Sequence, residues 1–300
     1  MPELPEVETV ARGLQMTVAG RRIVSVTLGK TDFIDDPSAL ETHLPGQSIE
    51  RVERFGKFML VRLRKEAASS TDVAGDSLLV HLGMTGHLSP HPVSEPPLKH
   101  THVRFLLDDG RELRYTDARR FGRIAFLAAE NLPTELKRFG ADPLEISEKD
   151  FVELLQSHKS RIKALLLDQS ALRGVGNIYA DESLWRSRIH PMRIAAKLSG
   201  QDARVLRKNL QAVLREAIAL RGSSIIDFLD ADGEPGEYQR RHRAYGREGK
   251  PCYRCKTPIR RVIVAGRSSY FCPRCQPVSR IGRKRAARRK TVTAKRGRTS

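Results

Sequence analysis

The stretch Met1-Pro-Glu-Leu-Pro-Glu-Val-Glu-Thr-Val10 opens the chain and predicts a helix. Pro5 suits the first turn of a helix, and acidic side chains such as Glu6 are favoured at its N-terminus. Apolar residues then recur at the spacing of one helix face, at Val7, Val10, Ala11 and Leu14. We therefore expect an amphipathic helix that docks onto the rest of the chain.

Pro2 becomes the terminal residue if Met1 is removed, which a small second residue permits. A terminal amine titrates near pH ~8, whereas a lysine amine titrates near ~10.4. The sequence therefore predicts a nucleophile at Pro2, beside Glu3, that attacks an electrophilic carbon and forms a Schiff base. A frayed terminus that contains prolines is the structural alternative.

The chain of 300 residues carries a formal charge of +19. Ten lysines and arginines, and no acid, lie between Arg280 and Arg298, so a charge of about +9 remains outside this tail. A basic excess of that size predicts a polyanionic partner, and nucleic acid is the commonest one. A solvated basic surface without a partner is the alternative.

The length allows one to three domains. The start of the sequence is acidic and lacks the apolar core of a secretion signal, and the apolar runs are too short to cross a bilayer. We therefore expect a soluble, cytoplasmic protein with no membrane partner.

All four cysteines lie in one segment, as Cys252-x-x-Cys255 and Cys272-x-x-Cys275. Two such pairs predict a tetrahedral site for one structural zinc ion. Two disulfides are the competing interpretation, which a large chain expected to be intracellular disfavours. The residues between the pairs predict a β-hairpin at 258–264 and 267–271, with Arg267 at its turn.

The N-terminal half contains short apolar runs typical of strands, at 22–28, 48–54, 58–64, 77–82, 102–107, 112–116 and 124–127. Strands this closely spaced predict a mostly antiparallel sandwich or barrel. A small and polar run at 65–76 is expected to be a surface loop.

Two turns of this half carry residues that scaffolding does not require. Lys57 directly follows a glycine at the start of an apolar strand, and Met84 stands in the glycine-flanked turn 83–86. A solvated lysine and a core methionine are the structural alternatives. An exposed Met84 would instead serve as a wedge between stacked bases.

A third turn, at 117–122, couples Arg119 and Arg120 to the ring of Phe121. Alone it is equally well a salt-bridged hairpin, whereas beside a duplex it would fill a vacated base position and hold phosphates. His100, with Lys99 before it and His102 after it, is ambiguous in the same way.

The strand signals stop in 131–146, where we place a domain boundary. Four helices are predicted beyond it, at 148–158, 161–168, 178–186 and 201–221. Between the second and third lies Arg173-Gly-Val-Gly-Asn177, in which Asn177 is expected to cap the next helix and backbone N–H groups to bind a phosphate. Such a turn is more often structural, but Lys163 precedes it and adds a cation.

Two further segments are predicted to lack regular structure. Residues 222–250 contain several glycines and have the length of a binding loop. The tail from Arg280 is expected to be disordered and to anchor on phosphates without sequence preference.

Over residues 2–277 the chain resembles the formamidopyrimidine-DNA glycosylase and endonuclease VIII family of bacterial DNA repair enzymes. The resemblance rests on motifs in the right order: PELPEVET, RFGK, HLGMTG, KHTH, DARRFG, LLLDQ, GVGNIYADE, YGREGKPC and RSSYFCPRC. Two features depart from the usual family length, the polar run at 65–76 and the basic tail.

This resemblance implies an α+β protein of two domains. An N-terminal antiparallel β-sandwich with flanking helices would span 1–130 and a linker 131–146. A helix-two-turn-helix domain with a lesion-covering loop would follow at 147–249, then a four-cysteine zinc β-hairpin at 250–278 and a basic tail at 279–300. The loop around 223–238 would cover a base rotated out of the duplex.

The resemblance also implies roles for the singled-out residues. Pro2 would be the nucleophile, Glu3 the proton donor that helps to open the sugar, and Lys57 a proton donor during β-elimination. Arg267 would hold the phosphates beside the lesion and assist δ-elimination. The implied DNA contacts fall into two sets. Met84, Arg119 and Phe121 would occupy the gap left by the extruded nucleotide. His100, Lys163 and Asn177 would contact the DNA backbone.

The implied function is that of a bifunctional glycosylase and abasic-site lyase, monomeric and zinc-containing, that removes 8-oxoguanine and formamidopyrimidines from double-stranded DNA. One rival is the endonuclease VIII branch, which prefers oxidised pyrimidines and resembles PEGPE where this chain has Leu4. The other is a non-catalytic zinc-containing nucleic-acid binder, which the intact set Pro2, Glu3, Lys57 and Arg267 disfavours.

Overall fold

The structure, a computed structural model, describes residues 1–65, 75–224 and 233–278. Most of the predicted 65–76 loop, the centre of the predicted lesion-covering loop and the basic tail lie outside these residues. Within the described ranges, no helix is both long and apolar enough to span a membrane.

Two four-stranded antiparallel sheets form the N-terminal half of the described chain. The elements in order are α1 (Leu4–Val18), β1 (Ile23–Leu28), α2 (Pro37–His43), β2 (Gln47–Phe55), β3 (Phe58–Lys65), β4 (Ser77–His81), β5 (Gly86–Pro92), β6 (Thr101–Leu107), β7 (Arg111–Asp117) and β8 (Arg123–Leu127). One sheet has the order β1-β6-β7-β5 and the other β2-β3-β4-β8. Both sheets bury apolar side chains in one shared core, which confirms the predicted sandwich.

Strand β5 and helix α2 were not predicted. Two prolines fall in β5, and a proline lacks the N–H that an interior strand donates. The structure places β5 at the edge of its sheet, where that loss is tolerated. Helix α2 begins at Pro37, and the Asp36 carboxylate accepts a bond from the Ala39 N–H at 3.1 Å, so its start signal was present in the sequence.

Helices form the C-terminal half: α3 (Leu132–Leu136), α4 (Glu148–Ser157), α5 (Ile162–Leu167), α6 (Asn177–Ser187) and α7 (Gly200–Ala219). Ser147 and Ser199 cap α4 and α7 with their hydroxyl groups. The apolar stripe of α7 packs into a second core, and the chain leaves this helix through Gly222, whose φ is +80°.

A β-hairpin of β9 (Arg260–Val264) and β10 (Arg267–Phe271) follows. Ala265 and Gly266 form its turn with φ values of 49° and 71°, and a two-residue turn of that hand matches the twist of the strands. Arg267 pairs with Val264 and is exposed beside this turn, as predicted from the sequence.

The two halves meet where α1 begins. Val7, Val10 and Leu14 enter the core of the sandwich, whereas Leu4 packs into the helical core. The Leu4 N–H donates to the Gly174 carbonyl at 3.0 Å, and a Cβ on Gly174 would lie 2.9 Å from the Leu4 Cβ. The glycine therefore permits the first turn of α1 to sit between the two cores.

Candidate active site and nucleic-acid interface

A cavity of about 430 Å³ lies where the first residues of the chain meet the helical half. Its volume falls within the usual range for small-ligand sites. The walls come from distant parts of the sequence: Met1, Pro2, Glu3, Glu6, Lys57, Met84, Leu167, Gly176, Asn177, Ile178, Ser223, Tyr245 and Arg267. The structure thus brings together the four residues predicted to be catalytic, and it adds Glu6, Ser223 and Tyr245.

Glu3 lies at the N-terminus of α6. The backbone N–H groups of Ile178 and Tyr179 donate to its two carboxylate oxygens at 3.0 and 3.4 Å. A Cβ on Gly176 would lie 2.3 Å from the Glu3 carboxyl carbon, so only glycine leaves room for it. Burial raises the pKa of Glu3, although the charge of Lys57 and these two N–H groups oppose the shift.

Glu6 connects three segments around the cavity, a role that was not expected from the sequence. One of its oxygens accepts from the Glu3 N–H at 2.9 Å. The other accepts from the Ser223 N–H at 2.7 Å and from the hydroxyl group of Tyr179. Burial and the neighbouring Glu3 charge raise the pKa of Glu6 to about 7. The spacing of the two glutamates, three residues apart before an apolar run, was the available signal.

Lys57 follows the tight β2–β3 turn at Gly56, whose φ is +63°. The lysine is only 8% exposed, so the solvated alternative is wrong. Burial lowers the pKa of Lys57, the nearby Arg267 lowers it further, and Glu3 partly restores it. A buried amine of reduced basicity is suited to proton transfer.

Two turns stack beside the cavity. A Cβ on Gly83 would lie 2.5 Å from the backbone of Phe121, so the turns at 83–86 and 117–122 touch directly. Asp117 fastens them, because its carboxylate accepts from the Thr85 hydroxyl at 2.5 Å and from the Gly122 N–H at 3.0 Å.

These turns expose apolar side chains. Met84 is 41% exposed and Phe121 57% exposed, so the alternative of a core methionine is wrong. The Arg119 guanidinium lies 4.5 Å from the centre of the Phe121 ring. The three side chains therefore form an exposed group, of which only Met84 lines the cavity.

His100 and Asn177 differ in position. His100 is exposed, with a φ of 71°, and lies outside the cavity. Asn177 lines the cavity, and its Oδ1 is buried without a hydrogen-bond partner among the described residues. The predicted cap is wrong, because Gly176 occupies the N-cap position and Asn177 is the first helical residue. The predicted phosphate cradle is also corrected, since Glu3 takes the N–H groups that a phosphate would need.

Lys163 is not available to DNA in this structure. Its side chain is fully buried, with Nζ 2.7 Å from Asp181 Oδ1 and 2.8 Å from the Ser268 carbonyl oxygen. The prediction of a backbone contact is corrected on this ground, because the amine is buried and bonded within the protein.

The four cysteines converge at the base of the hairpin. All four Sγ atoms lie within 4.8 Å of one another, and the Cys255 Sγ is 3.4 Å from those of Cys272 and Cys275. These separations exceed a disulfide bond, ~2.05 Å, and suit a tetrahedral zinc ion, whose thiolates lie about 3.8 Å apart. The donors fit one structural zinc, as predicted, and the disulfide alternative is wrong.

Family models match the chain in three successive parts. They are the formamidopyrimidine-DNA glycosylase N-terminal domain over residues 1–124, the H2TH domain of the same enzymes over 139–228, and a zinc finger found in FPG and IleRS over 249–278. Fold and cavity together thus define the class, a DNA glycosylase with a helix-two-turn-helix domain and a zinc finger.

Individual relatives cover nearly the whole chain. The formamidopyrimidine-DNA glycosylase of Solibacter usitatus (strain Ellin6076) is 45% identical over 278 residues, which are 92% of this chain and 99% of the relative. Solved structures of the Lactococcus lactis Fpg with abasic-site DNA and with DNA containing an oxidised pyrimidine are 33% identical, with TM-scores of 0.81 and 0.82. Each match covers 92% of this chain. It covers 99% of the Fpg chain in the abasic-site complex and 100% of the Fpg chain in the oxidised-pyrimidine complex. The chain belongs to the formamidopyrimidine-DNA glycosylase family.

Proposed function

We propose that this chain is a bifunctional DNA glycosylase and abasic-site lyase of base-excision repair, acting as a monomer in the bacterial cytosol. Its substrates are 8-oxoguanine and formamidopyrimidines in duplex DNA. The observation that carries the proposal is the convergence of Pro2, Glu3, Lys57 and Arg267 on one cavity. Pro2, Glu3 and Lys57 come from the N-terminal half and Arg267 from the zinc hairpin, so the cavity forms only where these parts of the chain meet.

The chemistry begins once Met1 is removed, which frees the Pro2 nitrogen. The damaged nucleotide must first leave the stack, at a cost of a few kcal/mol. The Pro2 nitrogen then attacks C1′, the base departs with its bonding electrons, and the amine proton is lost. As the C1′–O4′ bond breaks, O4′ takes a proton from Glu3, and an iminium ion links Pro2 to the opened sugar.

Strand cleavage follows from this iminium ion. Its positive charge acidifies the C2′ proton, and loss of that proton to a base or to solvent expels the 3′ phosphate. Loss of a second proton, from C4′, then expels the 5′ phosphate, and hydrolysis of the iminium ion by water frees Pro2. Lys57 supplies a proton in the first elimination, and Arg267 binds the flanking phosphates and assists the second. The raised pKa of Glu3 and the lowered pKa of Lys57 suit both groups to donating protons near neutral pH.

The remaining contacts hold the DNA in a bent form. Met84, Arg119 and Phe121 occupy the space of the extruded nucleotide, and such wedges unstack a base step. His100 and Asn177 bind the sugar–phosphate backbone. In this proposal residues 1–130 form the catalytic domain, 147–249 the helix-two-turn-helix domain and 250–278 the zinc hairpin.

Borohydride reduction tests the covalent step. With abasic-site DNA we expect an irreversible adduct whose mass maps to the N-terminal peptide that begins at Pro2. A matched form that keeps a blocked extension before Pro2 should bind the DNA but give no adduct. Full trapping by the extended form would overturn the role of the amine. If neither form gives an adduct, the rival interpretation, a non-catalytic nucleic-acid binder, would replace this proposal.

The lesion preference needs a separate experiment, because one of the L. lactis structures contains an oxidised pyrimidine. Single-turnover excision from duplexes with 8-oxoguanine or thymine glycol in the same sequence should be faster for the purine. The reverse order would assign the chain to the endonuclease VIII type of activity.

A further inference from the structure

Lys163 on α5 and Asp181 on α6 form an ion pair in the helical half. Both side chains are 0% exposed, and the Lys163 Nζ lies 2.7 Å from the Asp181 Oδ1. The cavity described above does not include either residue. The proposed chemistry therefore leaves this buried pair without a role.

Both members of the pair hold the backbone of strand β10. The Lys163 Nζ donates to the Ser268 carbonyl at 2.8 Å, and the Asp181 Oδ2 accepts from the Tyr270 N–H at 2.9 Å. Ser268 is the residue after Arg267, so these bonds fix the strand directly beside the arginine. Arg267 itself is exposed and faces the cavity.

The hairpin has a second attachment at its other end. Next to the cysteines, the Gln276 side chain accepts from the Cys272 N–H at 2.8 Å and donates to the Ile189 carbonyl at 2.8 Å. The zinc site and Gln276 therefore hold the base of the hairpin, whereas the Lys163–Asp181 pair holds β10 at Ser268 and Tyr270, between that base and the turn.

A buried ion pair is an inefficient source of stability, because removing two charges from water offsets most of their attraction. Well-packed apolar residues of similar size often serve stability as well or better. What such residues do not supply is a donor for Ser268 and an acceptor for Tyr270. The pair is therefore better explained by where it places the strand than by stability alone.

We propose that Lys163 and Asp181 are positioning residues that set the register of β10 and so place the Arg267 guanidinium at the cavity. This inference rests on the proposed function for Arg267. Lys163 was predicted to contact the DNA backbone itself. In this proposal it acts on the DNA only by positioning Arg267.

Two double variants test the proposal without stranding a buried charge. K163M/D181N keeps an acceptor for the Tyr270 N–H, whereas K163M/D181L removes both attachments. We expect the affinity for abasic-site DNA to fall about tenfold in K163M/D181L and less in K163M/D181N, and the fraction of δ-elimination product to fall in the same order. Borohydride trapping at saturating DNA should stay within about twofold of the unaltered chain, because Pro2 and Glu3 are untouched.

Dependence on Arg267 is measured by combining K163M/D181L with R267A. If the pair acts through the arginine, the combined variant should match R267A alone, since effects that share one route do not add. Additive losses would overturn the proposal, and so would unchanged elimination products in K163M/D181L. K149M, which alters an exposed lysine on α4, serves as the matched control.

Zinc content and trapping separate the remaining explanations. If the pair only stabilises the fold, its loss should lower the zinc content, the thermal midpoint and the trapping yield together. That pattern would also overturn the proposal. If the unaltered chain gives no adduct at all, the proposed function fails rather than this inference.

Discussion

Glu6 is the residue whose protonation should be visible in the stability of the molecule. It is 2% exposed, and its pKa is raised from 4.5 to about 7 by burial and by the Glu3 charge. The folded chain therefore holds this proton more tightly than the unfolded chain does. The stability that the proton contributes is fully present below about pH 4.5 and is lost as the pH rises to about 7.

Glu6→Gln removes this titration. The free energy of unfolding of the unaltered chain, relative to E6Q, should decline by about 1 to 3 kcal/mol across this pH window. Urea titrations at several pH values measure the difference, and any constant offset from the altered hydrogen bonds cancels in the slope. E41Q, an exposed change on α2, is the control; parallel curves for the unaltered chain and E6Q would contradict the expectation.

At the scale of single residues, short motifs in the sequence mark Pro2, Glu3, Lys57 and Arg267, and all four line one cavity, while their catalytic roles stay predictions. The sequence did not indicate that the Glu3 carboxylate fills the N-terminus of α6, since a glutamate and a helix start far apart in sequence share no periodic signal. Lys163 was misjudged for a similar reason. Nothing local to Lys163 in the sequence reveals that its amine is buried against Asp181, eighteen residues further along the chain.

Among the elements, the β9–β10 hairpin depends most on a bound group. Its two strands are short, and a two-stranded hairpin is marginal in water by itself. Its base packs against a small core of Trp185, Ala244, Ile259 and the cysteines. When zinc is bound, the four thiolates hold the hairpin to the preceding Cys252–Cys255 segment.

Cys272→Ser should release the zinc and detach Arg267 from the cavity. We expect DNA affinity and strand cleavage to fall together by about a hundredfold or more, equivalent to at least ~2.7 kcal/mol, because metal binding and hairpin folding are coupled. Metal analysis and binding titrations give the two quantities. Chelation followed by zinc return to the unaltered chain is the control, and full cleavage by a zinc-free protein would contradict the structural role.

The elements were predictable to different degrees. Helices α4 to α7 and most strands follow from apolar periodicity, and their ends shift by only one or two residues from the expected positions. Strand β5 escaped prediction because its two prolines suppress the strand pattern, and only its edge position makes them acceptable. The stacking of the turns at 83–86 and 117–122 was likewise invisible, because it depends on glycine contacts between distant segments.

For the molecule as a whole, the basic tail is expected to contribute affinity rather than selectivity. Deleting residues 280–300 removes ten positive charges and no negative ones. Each lost phosphate contact should reduce the slope of log affinity against log salt by about 0.9, so a reduction of about 2 or more is expected. A chain with the same tail residues in shuffled order should behave like the unaltered chain. A changed ratio of 8-oxoguanine to thymine glycol excision would instead give the tail a specific role.

The location of Leu4 in the helical core has a consequence for biosynthesis. The buried cluster that contains Leu4 extends to Tyr238, so at ~5–20 residues per second the ribosome needs about 12 to 47 s after making Leu4 to complete that core. The sandwich core can receive Val7, Val10 and Leu14 earlier, but during that interval the core that receives Leu4 is incomplete, whereas in the finished fold Met1 already lines the cavity. Removal of Met1 during translation would therefore expose the Pro2 nitrogen before the first turn of α1 is packed. Removal after folding would have to act on a residue that already lines the cavity.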